Sequence, residues 1–378
     1  MRIGLDGLPL TQLKTGVGTY TFELARALAA QAPQDDFQLV SPKPFDLAAS
    51  GDGVPLFPNL SLVYSRPNLL ERRWWSLGMP SYIRRNSIAL FHGTNFEVPL
   101  RGKCPTVVTI HDLSLLLHSN THEPRAVLRG RVRLPRMARR ATMVITDSEA
   151  VRREVCEHLR IEPEKVIAIP LAPRAEFAPV SPDVAVEVRK RLGIEEEFVL
   201  FAGTMEPRKN LLTLIRAFEE VLRSSELRPQ LVVAGKVGWK QNEVIQNLES
   251  SEFSDRIRLA GYVSDADLCA LYSSCRAFVY PSFYEGFGLP PLEAMACGAP
   301  VIATAVPSVI ASGARVISAT DTHELSRNLV ELLSDAGARE SASDAGLKHA
   351  SKFSWEQTAM LTREVYNEAL ARSAFRNG

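Results

Sequence analysis

Short apolar runs alternate with stretches of helical period along this chain, and the alternation predicts an architecture before any single residue is considered. In the first half, the runs at 2–6, 37–41, 61–64, 88–92, 106–111, 142–146 and 165–169 read as strands. Apolar positions three and four apart predict helices between several of them, at 18–30, 69–85, 125–139 and 148–158. A second series follows, with strands expected at 198–202, 230–234, 256–259, 277–280, 300–303 and 315–318. An amphipathic segment from Ser354 to Ala371 closes the chain, with Ser354 placed to cap it. Strands alternating with helices yield βαβ units and parallel sheets, so the fold class expected is α/β, with two doubly wound, Rossmann-like domains.

Pro170 to Pro182 interrupts the alternation with four prolines in thirteen residues and reads as the linker. The expected division is therefore 1–178, then 183–353, with 354–378 a helix packing back on the first domain. A length of 378 residues fits two cores better than one. In two facing doubly wound domains, ligands are expected at the carboxyl ends of the strands, in a cleft between the domains.

Charge sharpens this division. Residues 1–178 hold 23 Lys+Arg and 17 Asp+Glu, a balance of +6, while the remainder holds 21 and 26, a balance of −5. The net of +1, without a recognisable nucleic-acid motif, argues against nucleic acid as a partner. Seven arginines fall between Arg125 and Arg140, interleaved with Val127, Leu128, Val132, Leu134 and Met137. Such a segment suits peripheral contact with an anionic membrane or an acidic acceptor. A helix with one core face and one solvated basic face gives the same pattern. Paired Trp74 and Trp75 beside Arg72 and Arg73 add modest support for an interfacial role. No apolar run approaches the roughly 20 residues a membrane span needs. Five cysteines without a C-x-x-C pair, and a strand beginning at once from Met1, fit a cytoplasmic chain without a signal peptide.

The most informative stretch is YPSFYEGFGLPPLEAMACG at 280–298. Glu285 and Glu293 flank a loop in which Gly286 and Gly288 remove side chains where backbone approaches a ligand. Pro290 and Pro291 then open a helix, whose free amides and positive end suit an anion. After the first strand of the second domain comes GTMEPRKN at 203–210, which places Arg208 and Lys209 at a helix start. Cations there oppose the helix dipole unless an anion is present, which points to a bound phosphate. The first domain offers Gly16 and Gly18 after its first strand, a phosphate loop or simply a tight turn. His111 ends another strand, where it could meet a sugar hydroxyl, move a proton, or merely fill the core. A metal site from His111, Asp112, His118 and His122 is not specified by their spacing.

Together these pieces resemble the retaining GT-B glycosyltransferases of glycosyltransferase family 4, over almost the whole chain. The carriers are TGVGTY (15–20), TIHDL (109–113), GTMEPRKN, GYVSDADL (261–268) and the E-x7-E spacing of Glu285 and Glu293. The wording is most like that of bacterial members that add mannose or a similar sugar to polysaccharide or O-antigen intermediates. The resemblance implies a nucleotide-diphosphate sugar as donor, with Glu293 on the ribose and Glu285 on the donor sugar. It implies backbone at Gly286, Phe287, Gly288 and Leu289 along the sugar and diphosphate, and Arg208 and Lys209 neutralising the leaving group. Gly16 and Gly18 would approach from the other domain, His111 would lie near the transferred sugar, and Tyr262 with Val263 would meet the base.

No metal cofactor is then expected. Asp265 and Asp267 form a D-x-D pair of the kind that holds a metal in another glycosyltransferase architecture, but Ser264 and Asp267 are spaced as a capping box before a helix. The family usually carries a Glu in a P-E-V context after the E-x7-E helix, where this chain has Pro307-Ser308-Val309. The activity expected is retaining hexosyl transfer to a saccharide or lipid-linked saccharide at the inner membrane face. A nucleotide-sugar epimerase or a non-catalytic binding protein of the same fold are the alternatives.

Overall fold

The computed structural model describes residues 1–11, 16–46, 56–236, 238, 244, 246, 248 and 250–377. The chain divides into two compact units, Met1–Leu171 with Ser354–Gly378, and Ala172–Phe353.

In the first unit the elements run β1 (Arg2–Asp6), α1 (Gly16–Gln31), β2 (Asp36–Ser41), β3 (Leu60–Tyr64), α2 (Met79–Arg85), β4 (Leu90–Gly93) and β5 (Thr106–Ile110). They continue with α3 (Ser114–Leu117), α4 (Pro124–Arg140), β6 (Met143–Thr146), α5 (Glu149–Leu159) and β7 (Val166–Ala168). The sheet is parallel in the order β3-β2-β1-β4-β5-β6-β7. Every residue of β4, β5 and β6 is buried, as expected of central parallel strands covered on both faces. Strand order reverses between β1 and β4, which opens a crevice at their carboxyl ends.

In the second unit α6 (Pro182–Leu192), β8 (Phe198–Ala202), α7 (Leu211–Ser224), β9 (Gln230–Ala234), β10 (Ile257–Gly261) and α8 (Asp265–Ser274) come first. Then follow β11 (Ala277–Tyr280), α9 (Leu289–Ala296), β12 (Val301–Ala303), β13 (Arg315–Val316), α10 (Thr322–Ser334) and α11 (Ala336–Ala350). This sheet is parallel too, in the order β10-β9-β8-β11-β12-β13, and reverses between β8 and β11. Phe218, Leu214 and Val221 of α7 pack with Leu325, Leu329 and Leu332 of α10 in one core. The last helix, α12 (Trp355–Asn377), belongs to the first unit and packs on α1, with the Tyr366 hydroxyl 2.8 Å from His92 Nδ1.

Two expectations need correction. The first unit ends at Leu171 rather than 178, because Arg174 and Phe177 pack with the second unit: the Arg174 guanidinium lies 4.4 Å over the Phe177 ring and bonds Asp265. The helix expected over 69–85 is α-helical only from Met79. Before it, Trp74–Gly78 forms a wider turn closed by the Met79 amide on the Trp74 carbonyl, five residues back. Pro80 has no amide to bond the carbonyl four residues earlier, which favours the wider turn before it. Leu69 and Leu70 are 80% and 75% exposed, so no apolar face supports a helix there.

Candidate functional site

The loops after β8 and β11, at the strand-order reversal of the second sheet, hold the densest charge network of that unit. They are tied by backbone, since the Phe283 amide and the Ser282 hydroxyl both donate to the Arg208 carbonyl, at 2.9 and 3.1 Å. Asn210, in the left-handed region at φ 57°, turns the chain into α7 and donates its side-chain amide to the carbonyls of Pro281 and Ala319. Glu285 thereby meets Lys209 Nζ at 2.6 Å, Arg208 Nη1 at 2.8 Å, the Ser282 hydroxyl at 2.7 Å and the Tyr280 hydroxyl at 3.1 Å. Lys209 Nζ also bonds the Tyr280 hydroxyl, and Arg208 Nη2 pairs with Glu206 at 2.6 Å.

Burial pushes the Glu285 carboxyl up, yet Lys209 and Arg208 outweigh it and hold the group down at about 2. Burial lowers the Lys209 ammonium, with Glu285 opposing that shift. Glu285 and Glu206 thus accompany the two cations, in pairings that their sequence positions do not reveal.

Glu293, eight residues on, has a different environment. It sits 8% exposed on α9, and its nearest cation is Arg174, whose Nε lies 3.5 Å from Oε1. That arginine is already committed, with Nη1 and Nη2 on the Asp265 carboxylate at 2.5 and 3.0 Å and Nη1 on Glu176 at 3.2 Å. Burial dominates and lifts the Glu293 carboxyl to about 7, against the pull of Arg174 and with Asp265 adding to the rise.

The loop between the two acids is closely packed. Gly288 has φ 96°, and a Cβ there would stand 2.8 Å from both Ser308 Oγ and Val306 Cγ2. Ser308 is fully buried and donates its hydroxyl to the Gly288 carbonyl at 2.6 Å, so in place of an acid it clamps this turn. Gly286, Phe287 and Gly288 are buried, and the Phe287 ring packs on Phe353. Leu289 is the first helical residue and supplies the amide at the helix start, since Pro290 and Pro291 carry none.

The Asp265 and Asp267 carboxylates are paired with Arg174 and Arg191, and Ser264 accepts the Asp267 amide as the helix cap. Among the described residues no three His, Cys, Asp or Glu side chains converge to hold a metal. Tyr262 and Val263 follow the edge strand β10, away from both acids in sequence. Tyr262 is 59% exposed, with Lys236 Nζ 4.9 Å over its ring.

In the first unit, Gly16 and Gly18 form the first turn of α1, while Lys14 and Thr15 of the same motif lie outside the described residues. Two residues on from Gly18, the Tyr20 ring packs edge-on against His111 at 4.7 Å. His111 Nδ1 is 2.7 Å from the Asp147 carboxylate and Nε2 is 2.8 Å from the Thr94 carbonyl. A carbonyl only accepts, so Nε2 carries a proton, while Nδ1 shares its contact with the Asp147 carboxyl. Burial pulls the ring down, but Asp147 and these hydrogen bonds outweigh it, and His111 titrates above its ordinary value. Burial raises the Asp147 carboxyl in turn, and both ring nitrogens of His111 are engaged within the first unit.

Asp147 and Arg174 were not singled out in the sequence. Asp147 ends β6 at the same sheet edge as His111, a position that was available as a signal. Arg174 lay among linker prolines, where nothing in the local pattern distinguishes a buried cation.

Five of the seven arginines of α4 are exposed, Arg125, Arg129, Arg131, Arg136 and Arg139. Three of the seven serve the first unit: Arg133 pairs with Glu97 at 2.7 Å, Arg139 donates to the Leu159 carbonyl, and Arg140 to the Leu100 and Gly102 carbonyls. Val127, Leu134 and Met137 are buried, so α4 has a core face as well as a basic one. No helix among the described residues is long and apolar enough to cross a membrane.

Known proteins share this organisation. Residues 14–172 match the family model described as Glycosyltransferase Family 4, and residues 186–349 match Glycosyl transferases group 1. The chain is 31% identical to the O-antigen chain mannosyltransferase B of Escherichia coli, over 97% of this chain and 99% of that protein. Among solved structures it is similar to the sucrose-phosphate synthase of Thermosynechococcus elongatus, with a TM-score of 0.76 at 21% identity, covering 98% of this chain and 100% of that one. It is similar as well to Anabaena Alr3699/HepE in complex with UDP and glucose, with a TM-score of 0.74 at 18% identity over 97% and 99% of the two chains.

Proposed function

Because the chain belongs to the GT-B glycosyltransferases of family 4, we propose that it moves a hexose, best taken as mannose, from a nucleotide-diphosphate sugar to a saccharide or lipid-linked saccharide, with retention and without a metal. The observation that carries this reading is the ionised Glu285 held between Arg208 and Lys209 beside the Gly286–Leu289 backbone.

Glu285 accepts from hydroxyls of the donor sugar, and the backbone of Gly286, Phe287, Gly288 and Leu289 lines the sugar and diphosphate. As the bond from the sugar to its phosphate breaks, negative charge grows on the diphosphate. Arg208 and Lys209, already fixed in place, stabilise it without further reorganisation. They supply the charge that a metal ion supplies in other phosphate-leaving reactions. Paired glycosidase carboxylates would flank one scissile bond as nucleophile and acid. Here one acid is surrounded by donors and the other is buried beside a committed arginine, which suits two binding roles and front-face attack by the acceptor. Glu293 receives the ribose hydroxyls, and Tyr262 with Val263 the base. From the first unit, Gly16 and Gly18 are assigned to the diphosphate and His111 to the transferred sugar. The relative from Escherichia coli is named as an O-antigen chain mannosyltransferase, which supports a mannose donor and a polysaccharide product. The exposed arginines of α4 suit peripheral contact at the inner face of a membrane.

Incubation with GDP-, UDP-, ADP- and dTDP-hexoses and a saccharide acceptor, with and without a chelator, tests the reading. A product of unchanged anomeric configuration, formed equally in chelator, is expected. Inversion contradicts the proposed chemistry, and activity restored only by a divalent cation contradicts the role of Arg208 and Lys209.

A further inference from the structure

A cavity lies in the first unit, at the opposite end of its strands from His111. It is bounded by Ile88 before β4, by Cys104 and Thr106 at the amino end of β5, and by residues of α2. Its volume is about 840 Å³, within the range of ligand pockets. Leu70, Leu77, Pro80, Ile83, Ile88 and Pro99 give it apolar walls. Leu70 is 75% exposed at the rim and Leu69 beside it 80%, an adjacent apolar pair that a water-facing surface gains nothing from.

Charge around the opening has one sign. Residues 66–103 contain seven cations and two acids, Glu71 and Glu97, and both acids are already paired, with Arg85 and Arg133. Arg84, Arg101 and Lys103 line the cavity, are exposed, and have no ion-pair partner among the described residues. Arg140 holds the 100–102 lip in place through its bonds to the Leu100 and Gly102 carbonyls.

We propose that this cavity takes one acyl chain of an anionic phospholipid from a membrane surface, with Arg84, Arg101 and Lys103 on the lipid phosphate and Leu69 and Leu70 among the neighbouring chains. A small soluble anion would leave the apolar walls unused, and an uncharged apolar molecule would leave three cations unanswered. The inference does not rest on the proposed glycosyl transfer, since the cavity lies at the amino ends of the strands. It adds to the α4 contact a distinct point of attachment with its own chemistry.

The test uses the full chain with vesicles of phosphatidylcholine alone and vesicles containing phosphatidylglycerol. Binding to the anionic vesicles is expected, with quenching of Trp74 and Trp75 fluorescence by lipids brominated on the acyl chain. Substituting Arg84→Ala, Arg101→Ala and Lys103→Ala together is expected to weaken partitioning about a hundredfold, at the usual contribution per cation near an anionic surface. Leu69→Asp with Leu70→Asp is expected to abolish the quenching. Every substituted residue is exposed, so an unchanged melting temperature is expected to confirm that the variants fold. No binding to anionic vesicles, equal binding to neutral ones, or binding without quenching overturns the proposal. So does partitioning that the cavity set leaves unchanged while Arg125→Ala, Arg129→Ala, Arg131→Ala and Arg136→Ala together abolish it.

Discussion

Glu285 and Glu293 lie on one short loop-and-helix segment, both shielded from water, and their carboxyl groups are driven in opposite directions. Glu285 meets two cations and two hydroxyls within 3.1 Å and stays ionised down to about pH 2. Glu293 meets one arginine, itself spent on Asp265 and Glu176, and titrates at about 7. Burial alone therefore does not decide the charge state of an acid. The number of cations and hydroxyls within hydrogen-bond reach does.

The comparison breaks most severely if the shared arginine is removed. Arg174→Met leaves the buried Glu293 and the half-buried Asp265 without that cation, and a loss of about 2–3 kcal/mol in urea unfolding is expected, below the scale of a fully buried pair because Asp265 is 30% exposed. A loss below about 1 kcal/mol would mean that water reaches Asp265 and Glu293 freely.

Next in size is the loss of Glu285. Turnover of Glu285→Ala is expected to fall about a hundredfold to a thousandfold, the cost of one preorganised charge contact in a reacting site. Steady-state kinetics at saturating donor measures it, and wild-type turnover would remove Glu285 from the site.

The smallest expected effect sharpens the contrast through pH. Glu285 titrates lower in the folded chain than its ordinary 4.5, so its stabilising contribution is complete above about pH 5 and drains away as pH falls towards 2. Glu293 titrates higher than its ordinary value, so the folded state favours its protonated form. Its contribution is largest below about pH 4.5 and declines as pH rises to about 7, by up to about 3 kcal/mol. In Glu293→Gln that decline over pH 5 to 7 is expected to vanish from the denaturation profile, and a profile parallel to wild type would place the titration elsewhere.

Much of this was legible in the sequence. The strand runs carried the two parallel sheets because buried parallel strands are continuously apolar, a pattern that tolerates few other readings. Glu285, Arg208 and Lys209 were legible because glycines and prolines beside charges mark a built loop. Their mutual pairing was not, since residues 76 apart meet only once β8 and β11 are neighbours. Arg174 was hidden for the same reason, as its partners come from α8 and α9. The 69–85 segment misled because helical spacing does not show that Leu69 and Leu70 have no core to face. Ser308 could be noticed as a departure from family wording, while its clamp on Gly288 needed the tertiary structure.

The central claim is that the two acids divide recognition of the donor, Glu285 as a constant charge and Glu293 as one that is gained near neutrality. Ribose hydroxyls donate more strongly to a carboxylate than to a neutral carboxyl. Calorimetric titration of the nucleoside diphosphate that binds most tightly among GDP, UDP, ADP and dTDP, compared between wild type and Glu293→Gln from about pH 6 to pH 8, tests this most directly. The account predicts that the wild-type advantage grows as pH rises through about 7. An advantage independent of pH, or none at all, would contradict it.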